Sequence, residues 1–196
     1  IQDDTSKNIK KYLDMKQLFF PKYSKNEAVI HFRCGNVLSG DTHPSYHLLK
    51  FKYFKEHIPE NTDKITIIWR ISYDDKNTKK ETGILSKDEF IINSLKQYLE
   101  KELNIEVNID NEYFSDFIYM VYAPTLVITP STFSFWPGVM SRNTCYAPSC
   151  ELLCGGKNPH LRDNFKWTDI EPYKISAHFT WKMKNNNEKL LEELLK

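Results

Sequence analysis

Polar side chains able to bind an anion follow two of the short apolar runs of the sequence. Arg33 and Gly35 come after Val29–Phe32, and a hydroxyl-rich segment, Ser131–Ser134, comes after Leu126–Ile128. Arginine can hold a phosphate with two parallel N–H donors, and glycine lets the backbone approach the ligand closely. The free N–H groups and the dipole of a helix N-terminus attract the same charge. Both places therefore predict binding of a phosphate-bearing ligand.

Each of these features also has an ordinary structural interpretation. An arginine after a strand often forms a surface salt bridge, and Ser or Thr at a helix start is a common N-cap. A third polar site, Asp74 and Asp75, follows a strand that ends near Ile71. The two carboxylates either accept hydrogen bonds from a ribose or base, or they form a solvated turn. As adjacent residues, they lack the D-x-D spacing of a common metal-binding motif.

Composition limits the classes of function. The 196 residues carry a net charge of +1, which argues against the broad basic surface that nucleic-acid binding needs. No run of 18 apolar residues is present, so no membrane-spanning segment is predicted. The aromatic share of 14% suits either a sugar-stacking surface or a core rich in phenylalanine.

The cysteines do not predict a metal centre. Cys145, Cys150 and Cys154 have a C-x4-C-x3-C spacing that matches no common zinc pattern, and Cys34 is remote in sequence. Free thiols or a single disulfide are the alternatives, and both leave the compartment open.

Apolar runs and amphipathic segments alternate along the chain. Strands are predicted at 28–32, 65–69, 105–109 and 126–128, and helices at 45–58, from Ser86 onward, at 115–122 and at 131–140, the last interrupted near Pro137. Four such alternations predict a Rossmann-like three-layer α/β/α domain with a mainly parallel sheet. Ligands of these sheets bind at the carboxyl ends of the strands, where the polar residues above are expected to lie.

Five short segments resemble motifs of the α1,2-, α1,6- and protein O-fucosyltransferase superfamily. In chain order they are V-I-H-F-R-C-G-N at 29–36, His43-Pro44-x-Tyr46, Tyr73-Asp74-Asp75, Asp116 and S-T-F-S-F-W at 131–136. The first resembles the H-x-R-x-x-D motif, and the last is similar to the S-S-F-S-W-W of the α1,2 members. The resemblance covers a donor-binding half, like the C-terminal nucleotide-sugar domain of a GT-B glycosyltransferase.

The resemblance implies metal-independent, inverting transfer of L-fucose from GDP-fucose to a glycan acceptor. It implies catalytic roles for Arg33, which would contact the β-phosphate, and for His31, which would help to hold the guanosine together with Asp116. The donor-binding set it implies is Gly35, Asn36, Asp74, Asp75, Asp116, Ser131, Thr132, Phe133 and Ser134. No metal and no other cofactor is expected.

Two positions depart from the family pattern. Cys34 stands where many members have a second arginine, and Asn36 stands where the motif ends in aspartate. Two alternatives therefore stay open, namely a glycosyltransferase that uses another nucleotide sugar and a non-catalytic carbohydrate-binding module on the same fold.

The residues that would contact the acceptor are predicted less specifically than those that would bind the donor. Asp41, His43 and Tyr46 are candidates to face the acceptor or to act as the base. One domain is predicted over 1–196, with an entry segment at 1–25, a motif-bearing core at 26–150 and a C-terminal extension at 151–196 that ends in a peripheral helix. An acceptor domain upstream of Ile1 is expected, and the Golgi or ER lumen and the cytoplasm are both open as locations.

Overall fold

The structure is a computed structural model of the 196-residue chain. It describes residues 7, 23–33, 36–39, 46–69, 87–110, 113–150, 153, 162–183 and 185–196. The strands are β1 (Glu27–His31), β2 (Leu48–Leu49), β3 (Lys64–Ile68), β4 (Glu106–Asp110), β5 (Thr125–Ile128), β6 (Thr144–Ser149), β7 (Phe165–Asp169) and β8 (Lys174–Ile175). The helices are α1 (Asn36–Ser39), α2 (Phe51–Glu56), α3 (Lys87–Leu103), α4 (Tyr113–Tyr122), α5 (Thr132–Met140), α6 (Ala177–Lys182) and α7 (Asn187–Leu195).

Six parallel strands form the central sheet, in the order β4-β3-β1-β5-β6-β7. From β1 the chain steps outward to β3 and β4, and it then returns to the other side of β1 to form β5, β6 and β7. This is the strand order of a Rossmann-like domain, so the predicted fold is confirmed. A separate antiparallel pair joins β2 to β8.

Burial explains why the central strands are continuous apolar runs. Every residue of β1 is buried, and its neighbours β3 and β5 are buried almost throughout. A parallel sheet is covered by helices on both faces, which leaves no solvent-facing side for alternating polar residues. The same coverage makes these strands recognisable from the sequence.

The helices form two groups. Helices α2, α3 and α7 contact one another, and α4 contacts α5. Since the direction of winding reverses after β4, right-handed crossovers place these groups on opposite faces of the sheet. The last helix was expected to be peripheral, but α7 buries Leu190 and Leu194 completely in the main core.

Three local predictions differ from the structure. The segment predicted as a helix over 45–58 begins as β2, because residues 48–49 pair with β8 before α2 begins. The helix α5 runs unbroken through Pro137, whose buried ring lies among other buried side chains of the helix. Strands β6 and β7 were not predicted, although both belong to the central sheet. Most of the predicted entry segment at 1–25, the residue Ser86 and the Tyr73-Asp74-Asp75 motif lie outside the described residues.

A fully buried carboxylate occupies the amino-terminal end of β1. Glu27 accepts hydrogen bonds from the hydroxyls of Thr66 and Tyr119, each at 2.6 Å, and from the backbone N–H of Ser24 at 3.2 Å. The ammonium of Lys64 lies 3.6 Å away. These partners satisfy the buried charge, so Glu27 is part of the core.

Helix α5 approaches the sheet closely at Gly138. A β-carbon there would lie 2.6 Å from Sγ of Cys145 and 3.0 Å from Cε2 of Phe165. Alanine gains about 1 kcal/mol over glycine in a helix, but overpacking of a core costs about 1–3 kcal/mol. We expect Gly138→Ala to lower the free energy of unfolding by up to about 2 kcal/mol, measured from the denaturant midpoint.

The double variant Gly138→Ala/Cys145→Ala tests the cause of that loss. Because Cys145→Ala removes the nearest obstructing atom, the two changes together should cost less than the sum of the single changes. Strict additivity would mean that the sulfur is not the obstruction.

Candidate functional site

The predicted anion-binding residues follow the two strands at which the sheet reverses its winding. Strands β1 and β5 are neighbours, with His31 in register with Ile128. At such a reversal the connections leave in opposite directions, which opens a crevice beyond the carboxyl ends of the two strands. Arg33 lies two residues after β1, and the N-terminus of α5 follows β5, so the sheet brings these two features to one edge.

Thr129 joins the two strand exits by hydrogen bonds. Its buried hydroxyl accepts the backbone N–H of Arg33 at 3.1 Å and donates to the backbone carbonyl of His31 at 3.1 Å. On the other side, the N–H of Phe32 continues the ladder by bonding to the carbonyl of Ile68 at 2.9 Å. The backbone that carries Arg33 is therefore held from both sides.

The guanidinium of Arg33 packs against an aromatic ring. Its central carbon lies 4.3 Å from the ring centroid of Tyr46, within cation–π range. The side chain is half-buried, and its Nε is buried without a hydrogen-bond partner among the described residues. A cation held in this way has donor capacity left for an anionic ligand.

His31 is buried beside Arg33 and remains neutral. Burial, with a further contribution from the Arg33 charge, lowers the pKa of His31 to about 3 from an ordinary value of 6.5. Its ring lies 5.7 Å from that of Phe133, and its Nδ1 has no hydrogen-bond partner among the described residues. A neutral imidazole can donate or accept one hydrogen bond per nitrogen, but it brings no charge to the site.

The N-terminus of α5 has no side-chain cap. Ser131 occupies the cap position with extended backbone, but its hydroxyl makes no capping bond and is buried without a partner among the described residues. The hydroxyl of Ser134 donates to the carbonyl of Ser131 at 3.4 Å, which leaves the exposed Thr132 as the accessible hydroxyl of the segment. A helix N-terminus without a side-chain cap is a place at which an anion can bind.

The start of α4 lies beside the start of α5. The rings of Phe117 and Phe133 meet edge to face at 6.0 Å, and Asp116 is buried in the first turn of α4. Since α4 follows β4 and α5 follows β5, both helices begin at the carboxyl edge of the sheet. Asp116 thus lies at the same edge of the sheet as Arg33.

Other predicted site residues lie outside the part of the chain that the structure describes. These are Gly35, Asp41, His43, Asp74 and Asp75, together with the side chain of Asn36, whose backbone begins α1. Their assignments stay predictions. Tyr46 was proposed to face the acceptor or act as the base, and in the structure its ring stacks on Arg33.

Two residues at this edge were given no site role from the sequence. One is Thr129, and the other is Tyr53, whose buried hydroxyl donates to the carbonyl of Ile128 at 3.1 Å. Thr129 carried a local signal, since it directly follows an apolar strand and precedes Pro130, which has no N–H to extend the ladder. Tyr53 carried none, because its partner lies 75 residues away.

The described cysteines and helices add little to the site. Cys145 and Cys150 are buried thiols that form no disulfide with each other, and burial raises the pKa of Cys145. Cys34 and Cys154 lie outside the described residues, and within those residues no cluster of three His, Cys, Asp or Glu side chains is arranged to hold a metal ion. No described helix is both long and apolar enough to cross a membrane.

Comparison with known proteins gives one weak structural similarity. No family model and no curated protein matches the sequence. The catalytic domain of starch synthase IV from Arabidopsis thaliana, solved with ADP and acarbose, is similar with a TM-score of 0.34 and 8% identity. The match covers 100% of this chain, which spans 38% of that one. Similarity at this level assigns no function, and the fold is established by the strand order.

Proposed function

We propose that this chain is the donor-binding domain of a glycosyltransferase that transfers a sugar, with L-fucose as the first candidate, from a GDP-sugar to a glycan hydroxyl. The observation that carries the proposal is the junction of two elements that are chemically suited to bind an anion. Arg33 and the uncapped N-terminus of α5 follow neighbouring strands at the winding reversal. The hydroxyl of Thr129, at the end of β5, accepts a hydrogen bond from the backbone N–H of Arg33, beyond the end of β1.

The diphosphate of the donor fits these elements chemically. The guanidinium would bind the β-phosphate through paired donors, and the first-turn N–H groups with Thr132 would bind the remaining oxygens. Negative charge on the departing diphosphate grows as the sugar bond breaks, so a fixed cation and helix dipole lower the barrier. In this mechanism they do the electrostatic work that a metal ion performs in other glycosyltransferases.

The choice of guanine and fucose rests on the motif resemblance. His31 would hold the guanosine through a neutral hydrogen bond, and Asp116 would support it from α4. Cys34 and Asn36 depart from the family pattern, which makes the donor base the first property to test. The glycan acceptor and a separate acceptor-binding domain are part of the same proposal.

A thermal-shift panel with GDP, UDP and CDP tests the donor assignment. A ligand at about 100 times its dissociation constant stabilises a protein by about 2.7 kcal/mol. For a chain of 196 residues this raises the melting temperature by roughly 5–10 °C. We expect GDP to give the largest shift, and EDTA to leave it unchanged.

Each outcome of the panel has a distinct meaning. Equal shifts with all three nucleotides would remove the guanine assignment but keep a nucleoside-diphosphate site. Binding of glycans with no thermal shift from any nucleotide would favour a carbohydrate-binding module over an enzyme. Loss of the GDP shift in EDTA and its recovery with manganese would identify a metal-dependent site and direct attention to Asp74 and Asp75.

A further inference from the structure

We propose that Thr129 is a positioning residue of this site, which holds the backbone of Arg33 in register with the N-terminus of α5. This inference rests on the proposed function for its effect on catalysis. The contact itself rests on two hydrogen bonds of one buried hydroxyl, which accepts from the N–H of Arg33 and donates to the carbonyl of His31.

The hydroxyl takes the place of backbone pairing at the end of the ladder. The last paired residues of β1 and β5 are His31 and Ile128, and Arg33 lies beyond them. Pro130 has no N–H and its ring fixes the backbone, so the chain after Thr129 turns toward α5 and cannot extend the ladder. Without the hydroxyl, the N–H of Arg33 and the carbonyl of His31 would each lose a partner close to the crevice.

Loss of this contact is expected to weaken binding of the diphosphate more than binding of the rest of the ligand. The guanidinium and the first turn of α5 must reach the same phosphate group, and small misplacement of such groups has large effects on turnover. A nucleoside without phosphates touches neither group. The affinity for GDP relative to guanosine therefore measures the positioning of Arg33 separately from general damage to the fold.

The experiment compares Thr129→Val with Thr129→Ser. Valine keeps the shape and removes the hydroxyl, and serine keeps the hydroxyl. We expect Thr129→Val to weaken GDP binding about three- to tenfold, as loss of a hydrogen bond predicts, while guanosine binding stays within twofold. Turnover with a GDP-sugar should fall at least as far as GDP affinity, and Thr129→Ser should restore most of both.

Thr66→Val is the matched control. Thr66 is another buried threonine of the same sheet, but its hydroxyl donates to Glu27 at the opposite end of the strands. Its loss should lower the melting temperature without changing the ratio of GDP to guanosine affinity. An equal change of that ratio in Thr66→Val and Thr129→Val would overturn the positioning role.

Amide hydrogen exchange of Arg33 tests the contact without any ligand. The N–H of Arg33 should exchange faster in Thr129→Val than in wild type and return to slow exchange in Thr129→Ser. If wild type binds no nucleotide, the proposed function fails, and the exchange rates still decide whether Thr129 holds this backbone. If wild type binds GDP and Thr129→Val binds it equally well in folded protein, the function stands and the positioning role is wrong.

Discussion

Replacing Arg33 by lysine is expected to lower the affinity for GDP about ten- to hundredfold. A charge-assisted hydrogen bond contributes about 1.5–3 kcal/mol, and lysine keeps the charge but loses the planar pair of donors that matches a phosphate. It also loses the flat guanidinium that stacks on Tyr46. Turnover should fall at least as far as affinity, because charge on the leaving diphosphate increases toward the transition state.

Arg142→Lys is the control for this exchange. Arg142 is exposed and lies between α5 and β6, at the opposite edge of the sheet. Calorimetry with GDP and a melting curve on the same preparation separate the two roles that Arg33 can have. A purely structural Arg33 would give a lower melting temperature with unchanged affinity per folded molecule. Unchanged GDP affinity in a well-folded Arg33→Lys variant would contradict the donor site.

The strands that are buried on both faces of the sheet could be predicted from the sequence alone. Strands β1, β3 and β5 are apolar runs with many β-branched residues, and each lies within one or two residues of its predicted bounds. Their alternation with helices was enough to predict the parallel sheet. The two strand exits that bear Arg33 and Ser131 were predicted for the same reason.

Strand β6 was missed because Pro148 argues against a central strand. In the structure β5 pairs with β6 only as far as Tyr146, so Pro148 lies past the end of that ladder and its missing N–H costs no bond on that side. Strand β7 was missed because an edge strand tolerates exposed polar residues, such as Lys166 and Asp169. Both reasons depend on which strands are neighbours, which local patterns do not contain.

Contacts within the candidate site were beyond the sequence for a related reason. Arg33 and Thr129 are 96 residues apart, and they meet only because β1 and β5 are adjacent and in a particular register. Likewise, the burial that keeps His31 neutral comes from helices and strands packed around it, not from its neighbours in the chain. Residue types alone were enough to predict phosphate binding. Which residues lie together at the candidate site depends on the register of the strands.

His31 is expected to make the fold sensitive to mild acid. The unfolded chain protonates this residue below its ordinary pKa of 6.5, whereas in the folded state burial and the Arg33 charge lower the pKa to about 3. Between these values the unfolded state binds more protons, so the free energy of unfolding falls as the pH falls. At pH 4.5 the loss from this one group is about 2–3 kcal/mol.

The variant His31→Gln isolates that contribution, since glutamine does not take up a proton in this range. Denaturant unfolding of both proteins from pH 7.5 to pH 4.5 should show wild type losing about 2–3 kcal/mol more than the variant, whatever offset the substitution itself introduces. His178→Gln, which removes an exposed histidine on α6, is the control for the loss of a histidine as such. Parallel stability curves for wild type and His31→Gln would mean that His31 can gain a proton in the folded protein. The imidazole beside Arg33 would then become charged in mild acid, and it would be a neutral partner of the nucleoside only above its ordinary pKa.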